Sequence, residues 1–478
     1  MTNIGNIPNV SYNNVLQTNI NGKPYITVSS KGITNGLSTI PNDGADFGPD
    51  TSLGATSPNQ IGGSTLTQTN GIQEATTYAQ NQAYALGNGG LTAKIYLGTG
   101  NFYLNQSVNV NIVNGNNKVI YIGNGWERTT ILASSSFSPT TDYLFTFGNN
   151  YSEDIWFEDI AFSNGNNATG SIAGVINHQY ASPYYGNVLF RHCYFETNLG
   201  LIFNGIYGGR MVFDNCYFDP SLWYRIIQIT NSTLSITFSK CFLTPYLTSG
   251  LALVIGAGST TTSGTYNCRS IVFDTCNITL NSSGSRVVYV PEYATVDLLS
   301  FRDCTVLTSG SVNTTAGSYA GILVNNDGII NTLVMDGVRF NYTTLTNPIN
   351  NTGTINYFKP KNITNHAGNQ YLSLVIPTTS PTLSANPPVS GTVYQNTNPY
   401  DIEIDLPAYA TTSGTAGYVT LAKGTTSTPA SIGNQFVNGA TSSTSTEIIK
   451  LEVPAGWYYS FTTSGVTLGT ATVFAKWD

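Results

Sequence analysis

Two carboxyl side chains, Glu196 and Asp219, have the spacing that best fits a catalytic pair. They occupy the same position in two near-copies of one sequence, "NVLFRHCYFETN" at 187–198 and "RMVFDNCYFDPS" at 210–221, so they are expected to stack on consecutive turns of a repeating structure. Glycoside hydrolysis uses two carboxyl groups, about 5–5.5 Å apart in retaining enzymes and about 6.5–9.5 Å apart in inverting ones. If the chain is an enzyme, these two residues are its predicted acid and base. A purely structural pair is the alternative.

A second series of polar residues argues against catalysis. One of its members follows the first aromatic residue of each repeat. It mixes acids with arginines and is interrupted by a serine: Glu158, Arg191, Asp214, Ser239, Asp274, Arg302 and Asp336. Stacked on one corner, such residues form a solvated edge with cross-strand pairs worth at most about 1 kcal/mol each. There is no CxxC pair and only 3 His residues, so no metal and no other cofactor is predicted. The residues favour a binding protein and leave an enzyme open.

Aromatic residues are concentrated in the segments between the motifs. "NHQYASPYYGN" contains Tyr180, Tyr184 and Tyr185, and "FDPSLWYR" contains Trp223 and Tyr224. The two segments are consecutive excursions, so they are expected on one face. Flat rings with a hydroxyl or N–H group suit the recognition of sugars. We therefore predict that these five residues bind glycan; packing beneath the loops is the alternative.

The element that must position these residues is a motif with an aromatic residue, two polar residues, a cysteine, one further residue and a second apolar residue. Its three apolar positions recur at irregular intervals but with constant inner spacing: Phe157/Ile160/Phe162, Phe190/Cys193/Phe195, Phe213/Cys216/Phe218, Phe238/Cys241/Leu243, Phe273/Cys276/Ile278, Phe301/Cys304/Val306 and Met335/Val338/Phe340. The two polar residues form a corner, and the spacing of two after the cysteine is the strand period. Such units bury their apolar face only by stacking, which predicts a right-handed parallel β-helix.

Stacking places equivalent side chains about 4.8 Å apart in columns that point inward. The predicted columns contain five aromatic residues and five cysteines: Phe190, Phe213, Phe238, Phe273 and Phe301, with Cys193, Cys216, Cys241, Cys276 and Cys304. Disulfides between stacked neighbours are geometrically allowed, but a small buried apolar residue is what the position requires. Cys268 lies outside this column and is expected to pack elsewhere.

A single helix is predicted before the repeats, over residues 69–86 of "TQTNGIQEATTYAQNQAYALGNGG". Asn70 is the expected N-cap, Gln73 follows three residues later, and Gly87 fits the stop after the helix. A helix at this place can cover the first coil and its open strand edge.

The same N-terminal region carries a family resemblance. "NDGADFG" (42–48), "TNGIQEATTYA" (69–79), "IYLGTGNFYL" (95–104) and "YIGNGWERTTIL" (121–132) resemble the N-terminal part of pectate-lyase-superfamily β-helices, which recurs in viral tailspikes and tail fibres. The resemblance implies the β-helix fold; in lyases of this family it also implies acidic residues clustered on Ca²⁺, and this sequence lacks that cluster. The superfold hosts lyases, hydrolases and inert adhesins, so the resemblance does not decide the activity.

The character of the sequence changes near its C-terminal end. "IPTTSPTLSANPPVSG" (376–391) is rich in Pro and Ser and is predicted to be a linker. Short alternating segments follow and predict a β-sandwich over 392–478. The segment "ATTSGTAGYVTLAKGTTSTPA" (410–430) also looks like terminal modules in surface proteins of archaeal viruses. The predicted organisation is an anchor or extension at 1–40, a capping segment at 41–90, a β-helix at 91–375, the linker and the sandwich.

Composition restricts the functional class. Only 9% of the residues are charged, against roughly a quarter in ordinary soluble proteins. One physical reason for such a surface is a very acidic medium outside the cell, because carboxylates are protonated below about pH 4 and no longer help solubility. The net charge is −7 without a basic stripe, which argues against nucleic acid and anionic membranes as partners. The start, "MTNIGNIPNVSYNN", predicts no signal peptide, and no apolar run reaches the roughly 20 residues of a membrane span.

An extracellular composition without an export signal is typical of a virion component; loss of a leader is the competing explanation. The sequence therefore favours a virion-surface spike or tail fibre that attaches to host-cell surface glycans or glycoproteins, with other virion proteins bound through its N-terminus and a homo-oligomer, for example a trimer, as its assembly. A polysaccharide lyase or glycoside hydrolase is the first alternative, and a cellular surface-layer adhesin is the second.

Overall fold

The computed structural model describes a chain that is nearly all β. The described residues are 25–31, 45–85, 92–110, 118–134, 143–147, 154–163, 174–178, 186–196, 203–205, 209–218, 225–229, 233–244, 251–255, 266–280, 286–308, 322–341, 349–364, 386–397, 401–411, 415–437, 447–454 and 456–476. Strands are numbered in chain order, from β1 to β37, over these residues.

Three long parallel sheets account for most of the described strands. Sheet 1 contains, in spatial order, β1 (Ile26–Val28), β2 (Thr92–Leu97), β5 (Lys118–Ile122), β8 (Asp154–Glu158), β11 (Asn187–Arg191), β14 (Arg210–Asp214), β17 (Thr233–Ser239), β20 (Tyr266–Asp274), β23 (Ala294–Arg302), β26 (Ile329–Asp336) and β29 (Thr354–Lys361). Sheet 2 contains β3 (Gly100–Leu104), β6 (Thr129–Ala133), β9 (Ala161–Ser163), β12 (Tyr194–Phe195), β15 (Tyr217–Phe218), β18 (Phe242–Leu243), β21 (Asn277–Leu280), β24 (Thr305–Thr308) and β27 (Arg339–Asn341). Sheet 3 contains β4 (Val108–Val110), β7 (Tyr143–Phe147), β10 (Gly174–His178), β13 (Phe203–Gly205), β16 (Arg225–Ile229), β19 (Leu251–Ile255), β22 (Arg286–Val290), β25 (Ile322–Asn326) and β28 (Ile349–Asn351).

From β2 onward, the chain visits the three sheets in turn, and each complete turn is a rung. Neighbouring strands within a sheet are three apart in the numbering and run parallel, so each rung stacks on the one before it. This is the topology of a parallel β-helix. The coarse prediction of an all-β chain built on stacked parallel strands is therefore confirmed.

The motif forms the corner between sheets 1 and 2. Its first aromatic is the second-last residue of a sheet 1 strand, and the first polar residue ends that strand. The second polar residue takes a left-handed backbone conformation, with φ of 58° at Asp159, 51° at His192 and 52° at Asn215. The backbone N–H of His192 donates to the carbonyl of Asp214 on the next rung at 2.8 Å. A single residue with positive φ thus turns the chain and keeps the bonds between rungs intact. Polar residues such as Asp, Asn and His tolerate this conformation better than most.

Aromatic residues of the motif pair across sheet 1 in register. Phe190 pairs with Phe213, Phe213 with Phe238, and Phe238 with Phe273. All of these side chains are buried. Their rings therefore form a continuous stack inside the β-helix, and the stack reaches Phe301.

The cysteines of the motif form a second inner column, and all of them are buried and free. Each thiol donates a hydrogen bond to the carbonyl of the motif phenylalanine one rung earlier, for example from Cys216 Sγ to the carbonyl of Phe190 at 3.4 Å and from Cys241 Sγ to that of Phe213 at 3.4 Å. Burial raises the pKa of both thiols. Cys268 is also buried, but it lies in the middle of β20, away from the corner.

One helix, α1 (Ile72–Ala85), packs against β1, β2 and β4 at the N-terminal end of the β-helix. The predicted N-cap at Asn70 is wrong: Asn70 has φ of 52°, and the Thr69 hydroxyl accepts the hydrogen bond from the N–H of Gln73 at 3.0 Å. The Gln73 side chain instead bonds the backbone of Asn109 in β4, accepting from its N–H at 2.6 Å and donating to its carbonyl at 3.1 Å. The helix is thereby fixed to the first rung.

Two antiparallel sheets follow near the C-terminal end. One contains, in spatial order, β30 (Val393–Gln395), β35 (Tyr458–Ser464), β32 (Gly417–Gly424) and β33 (Ala430–Val437). The other contains β34 (Glu447–Val453), β31 (Asp401–Ala410), β36 (Val466–Leu468) and β37 (Thr472–Lys476), with β31 pairing the other three. Buried residues of both sheets, such as Ile404 and Phe461, belong to one apolar cluster that is separate from the β-helix core.

Parts of the predicted N-terminal anchor and of the predicted linker have defined contacts in the structure. Residues 26–28, inside the segment predicted as an anchor, form the first strand of sheet 1, because Ile26 and Val28 point into the core. At the other boundary, Asn386 exchanges two hydrogen bonds with the backbone of Ala471, at 2.9 and 2.7 Å. The last residues of the predicted linker therefore bind to the C-terminal sheets.

Candidate functional site

The residues predicted to do chemistry or to bind glycan fall mostly outside the described part of the chain. Asp219 and the five predicted glycan-binding residues lie outside it: Tyr180, Tyr184, Tyr185, Trp223 and Tyr224. Glu196 is described, is half-buried and donates its backbone N–H to the carbonyl of Phe162 at 2.9 Å. The carboxyl pair and the loop aromatics therefore remain predictions.

A column of aromatic rings lies on the outer face of sheet 2, at a position that the sequence analysis treated only as a spacer. Tyr194, Tyr217 and Phe242 each follow the motif cysteine, and because the strand period is two, they point outward where the cysteine points inward. Their strands pair in register. The ring centroids of Tyr194 and Tyr217 lie 5.2 Å apart, and those of Tyr217 and Phe242 lie 5.8 Å apart. Tyr217 is 38% exposed and Phe242 45% exposed.

Trp126 extends this column at its N-terminal end. Its ring stacks on Tyr194 with centroids 5.0 Å apart and planes 14° apart. Trp126 belongs to the turn between β5 and β6, two rungs before Tyr194. The intermediate rung has only Ala161 at the column position, where it pairs with Tyr194. Because alanine is small, the indole takes the place that a larger side chain would fill, and Ala161 is buried.

Hydrogen bonds and a close backbone approach hold Trp126 in this position. Its Nε1–H donates to Nε2 of His192 at 3.3 Å, and Nδ1 of His192 bonds Oδ1 of Asp159 at 2.5 Å. An accepting Nε2 assigns the proton of the neutral ring to Nδ1, which donates to the carboxylate. The turn approaches the Asp159 corner so closely that a Cβ on Gly123 would lie 2.2 Å from the carbonyl oxygen of Asp159. Only glycine fits there.

We call Trp126, Tyr194, Tyr217 and Phe242 the outer column. Two rows of polar side chains run beside it along the corner between sheets 1 and 2. The nearer row is Asp159, His192, Asn215 and Lys240; the farther row is Glu158, Arg191, Asp214 and Ser239. The arrangement offers ring edges, phenol hydroxyls and hydrogen-bonding groups on one exposed face, spaced by about 4.8 Å per rung.

The charged groups in the farther row are paired with each other. Arg191 lies between two carboxylates, with its Nη1 at 3.5 Å from Glu158 Oε1 and its Nε at 3.4 Å from Asp214 Oδ2. All three side chains are partly exposed, so each pair contributes at most about 1 kcal/mol. Because an arginine separates Glu158 from Asp214, these two carboxylates do not form the paired acid and base of a glycosidase.

The sequence contains a signal for the outer column, but only part of it. "CYF", "CYF" and "CFL" in three successive motifs place an aromatic residue directly after the cysteine, and alternation alone would have assigned it to the outer face. Trp126 has no such signal, since its contact with Tyr194 spans 68 residues of sequence and depends on Ala161.

Among the described residues, no group of three or more His, Cys, Asp and Glu side chains could hold a metal ion. No described helix is long and apolar enough to cross a membrane.

Comparisons with known proteins give distant structural likenesses. The chain is similar to the enzymatically active domain of tailspike protein 4 of bacteriophage CBA120 (13% identity, TM-score 0.35, covering 90% of this chain and 72% of that one). It is similar to ORF18 of Geobacillus virus E2 (14% identity, TM-score 0.35, covering 78% of this chain and 72% of that one). It is also similar to WceF of Pantoea stewartii, a glycan biofilm modifying enzyme with a tailspike-like parallel β-helix (11% identity, TM-score 0.30, covering 85% of this chain and 61% of that one). No protein-family model and no curated protein sequence matches the chain.

Proposed function

We propose that this chain is a virion-surface spike or tail-fibre protein that attaches to host-cell surface glycans through its outer column. The observation that carries the proposal is the exposed stack of four rings beside a row of polar groups. Aromatic rings supply apolar contact area, and the neighbouring hydroxyl, amide and ammonium groups fix the orientation of a sugar by hydrogen bonds. Glycoproteins that carry the same glycans are partners of the same kind.

The remaining parts of the proposal concern the particle. The N-terminal segment attaches the chain to other virion proteins, the assembly is a homo-oligomer, and the location is the virion surface. A surface with few charges suits a virus of acidic surroundings, because it does not depend on ionised carboxylates for solubility. The likeness of "ATTSGTAGYVTLAKGTTSTPA" (410–430) to terminal modules in surface proteins of archaeal viruses, together with this composition, supports an archaeal virus as the source.

Attachment is favoured over cleavage by the charges along the column. Within the two polar rows beside the outer column, the carboxylates of Glu158 and Asp214 are paired with Arg191, and that of Asp159 is bonded to His192. A glycosidase needs one carboxyl group that protonates the leaving oxygen and one that activates water or attacks the sugar. Carboxylates that are engaged in these bonds are poorly suited to either role.

The test is binding of the purified chain to polysaccharide from host cells, followed by tryptophan fluorescence and by retention on cells. Replacing Tyr217 and Phe242 together by Ala is expected to abolish most of the binding. Tyr357→Ala is the matched control, since Tyr357 is 47% exposed on sheet 1, away from the column. Equal binding by the double variant and the wild type would contradict the proposal.

The same incubations also test the enzymatic alternative. New reducing ends or unsaturated products, lost in a Glu196→Gln variant, would identify a depolymerase. Attachment without product agrees with the proposed role.

A further inference from the structure

The outer column has a defined C-terminal end at Phe242. The next strand of sheet 2 places Asn277 at the same column position, where it pairs with Phe242. No ring of the described residues continues the stack beyond this point, and the Phe242 ring is tilted by 32° from Tyr217. Rings inside the stack cover each other's faces and expose their edges. Phe242 differs because the ring face toward Asn277 has no ring stacked on it.

A lysine and an asparagine lie close to Phe242 in sequence and in strand register. Lys240 precedes Phe242 by two residues, is exposed, and has its backbone fixed at the corner by φ of 53° and by the hydrogen bond from its N–H to the carbonyl of Asp274 at 2.8 Å. Its ammonium group forms no ion pair within 4.0 Å with any described residue, and the Asn277 amide likewise has no hydrogen-bond partner among them. Within the part of the chain that the structure describes, neither group is engaged by another side chain.

Two other charged groups on this part of the corner have partners of their own. Arg191 is held between Glu158 and Asp214. Asp274, on the rung of Asn277 but on the other side of the corner, accepts a hydrogen bond from the Thr275 hydroxyl at 3.5 Å. In a chain with only 9% charged residues, an ammonium group that is unpaired among the described residues and lies two positions from an exposed ring favours a ligand of opposite charge.

We infer that Phe242, Lys240 and Asn277 form a subsite for one sugar that carries a carboxylate or a sulfate group. The sugar ring lies on the face of Phe242, its hydroxyls bond the Asn277 amide, and its anionic group pairs with the Lys240 ammonium. This inference rests on the proposed attachment function and adds the class of sugar and the place of its charged group.

The experiment uses the full chain on a glycan array that contains acidic glycans and their carboxyl-reduced or desulfated counterparts, followed by titration of the best acidic glycan. Acidic members are expected to bind, and their neutral counterparts to bind about 10-fold more weakly or worse, the loss that follows from removing a charged hydrogen bond. Lys240→Met should weaken binding of the acidic glycan by the same factor and remove most of its salt dependence. Lys240→Arg should retain binding, and Lys359→Met is the control at an exposed lysine elsewhere.

The outcomes separate this inference from the proposed function. Equal binding of acidic and neutral glycans, with Lys240→Met unchanged and the Tyr217/Phe242 double variant inactive, would overturn the subsite and leave attachment intact. Absence of binding to every glycan on the array and to host polysaccharide would overturn both. The Lys240 and Lys359 variants replace exposed side chains, so their thermal unfolding is expected to stay the same. The Tyr217/Phe242 double variant loses ring stacking and is expected to unfold at a slightly lower temperature but still cooperatively. Thermal unfolding will therefore identify any variant that misfolds.

Discussion

Two columns of stacked aromatic rings run from rung to rung along the same corner of the β-helix, one inside it and one on its surface. The inner column consists of Phe157, Phe190, Phe213, Phe238, Phe273 and Phe301, with neighbouring centroids 4.7–5.1 Å apart and planes within 12°. In the outer column the centroids lie 5.0–5.8 Å apart and the planes differ by 14–32°. Except at Trp126, which lies in a turn, both columns obtain their spacing from the strand pairing, so spacing alone does not separate a core from a surface feature.

The difference lies in what surrounds the rings. Every ring of the inner column is buried, and burying a phenylalanine contributes about 1.5–3 kcal/mol relative to leaving it exposed. The outer rings gain only part of that, because Tyr217 and Phe242 remain partly exposed. The inner column therefore stabilises the rungs, while the outer column leaves apolar surface in contact with solvent, where a ligand can cover it.

The largest expected effect is on the rate at which a reagent modifies the buried cysteine thiols. Because all six cysteines are buried, a thiol reagent should modify the native chain at least about 10³-fold more slowly than the chain in denaturant, the ratio set by the population of unfolded molecules. Burial also raises the pKa of Cys268 to about 12, which suppresses the reactive thiolate. Labelling kinetics at pH 8, with and without guanidinium chloride, measure this. Rapid native labelling of three or more cysteines would contradict the inward column.

Next in size is the loss of one inner ring. Phe213→Ala leaves a cavity between Phe190 and Phe238 and should lower the free energy of unfolding by about 3–5 kcal/mol. Asp214→Ala, one residue later on the exposed corner, should lower it by less than about 1 kcal/mol. Denaturant unfolding of the two variants makes the comparison. Similar losses would mean that the inward and outward assignments are wrong.

The smallest effect is expected for the outer column. Tyr217→Ala removes a stacked but partly exposed ring, and should lower the free energy of unfolding by about 0.5–1.5 kcal/mol, the contribution of an aromatic pair. Tyr217→Phe keeps the ring and should restore stability, so that any binding defect of this second variant reports the hydroxyl alone. A loss from Tyr217→Ala as large as that from Phe213→Ala would make the outer column a structural element.

Much of the β-helix could be predicted from the sequence because the motif is local. Six residues contain the end of one strand, a corner and the start of the next, so their alternation fixes which side chains point inward; in the structure Phe213, Cys216 and Phe218 are buried. The capping of α1 was predicted less well. Asn70 and Thr69 are both good N-caps, and the choice depends on the left-handed turn at Asn70 and Gly71.

The outer column is the part of the molecule that the sequence pattern did not reveal. The prediction of a glycan site rests on aromatic residues of the excursions, which lie outside the described residues, and the residue after the cysteine was regarded as a spacer. That residue shares a strand with the core, and only its outward direction makes Tyr194 and Tyr217 available to a ligand.

The sequence by itself determined that the rungs stack and which positions form their interior, because a strand period of two and a repeated corner leave one consistent register. Tertiary structure alone decided that Trp126 belongs to the exposed site. Trp126 joins the outer column only because Ala161 leaves a space on the rung between. A turn that reaches across a small side chain to a ring two rungs later leaves no local pattern in the sequence.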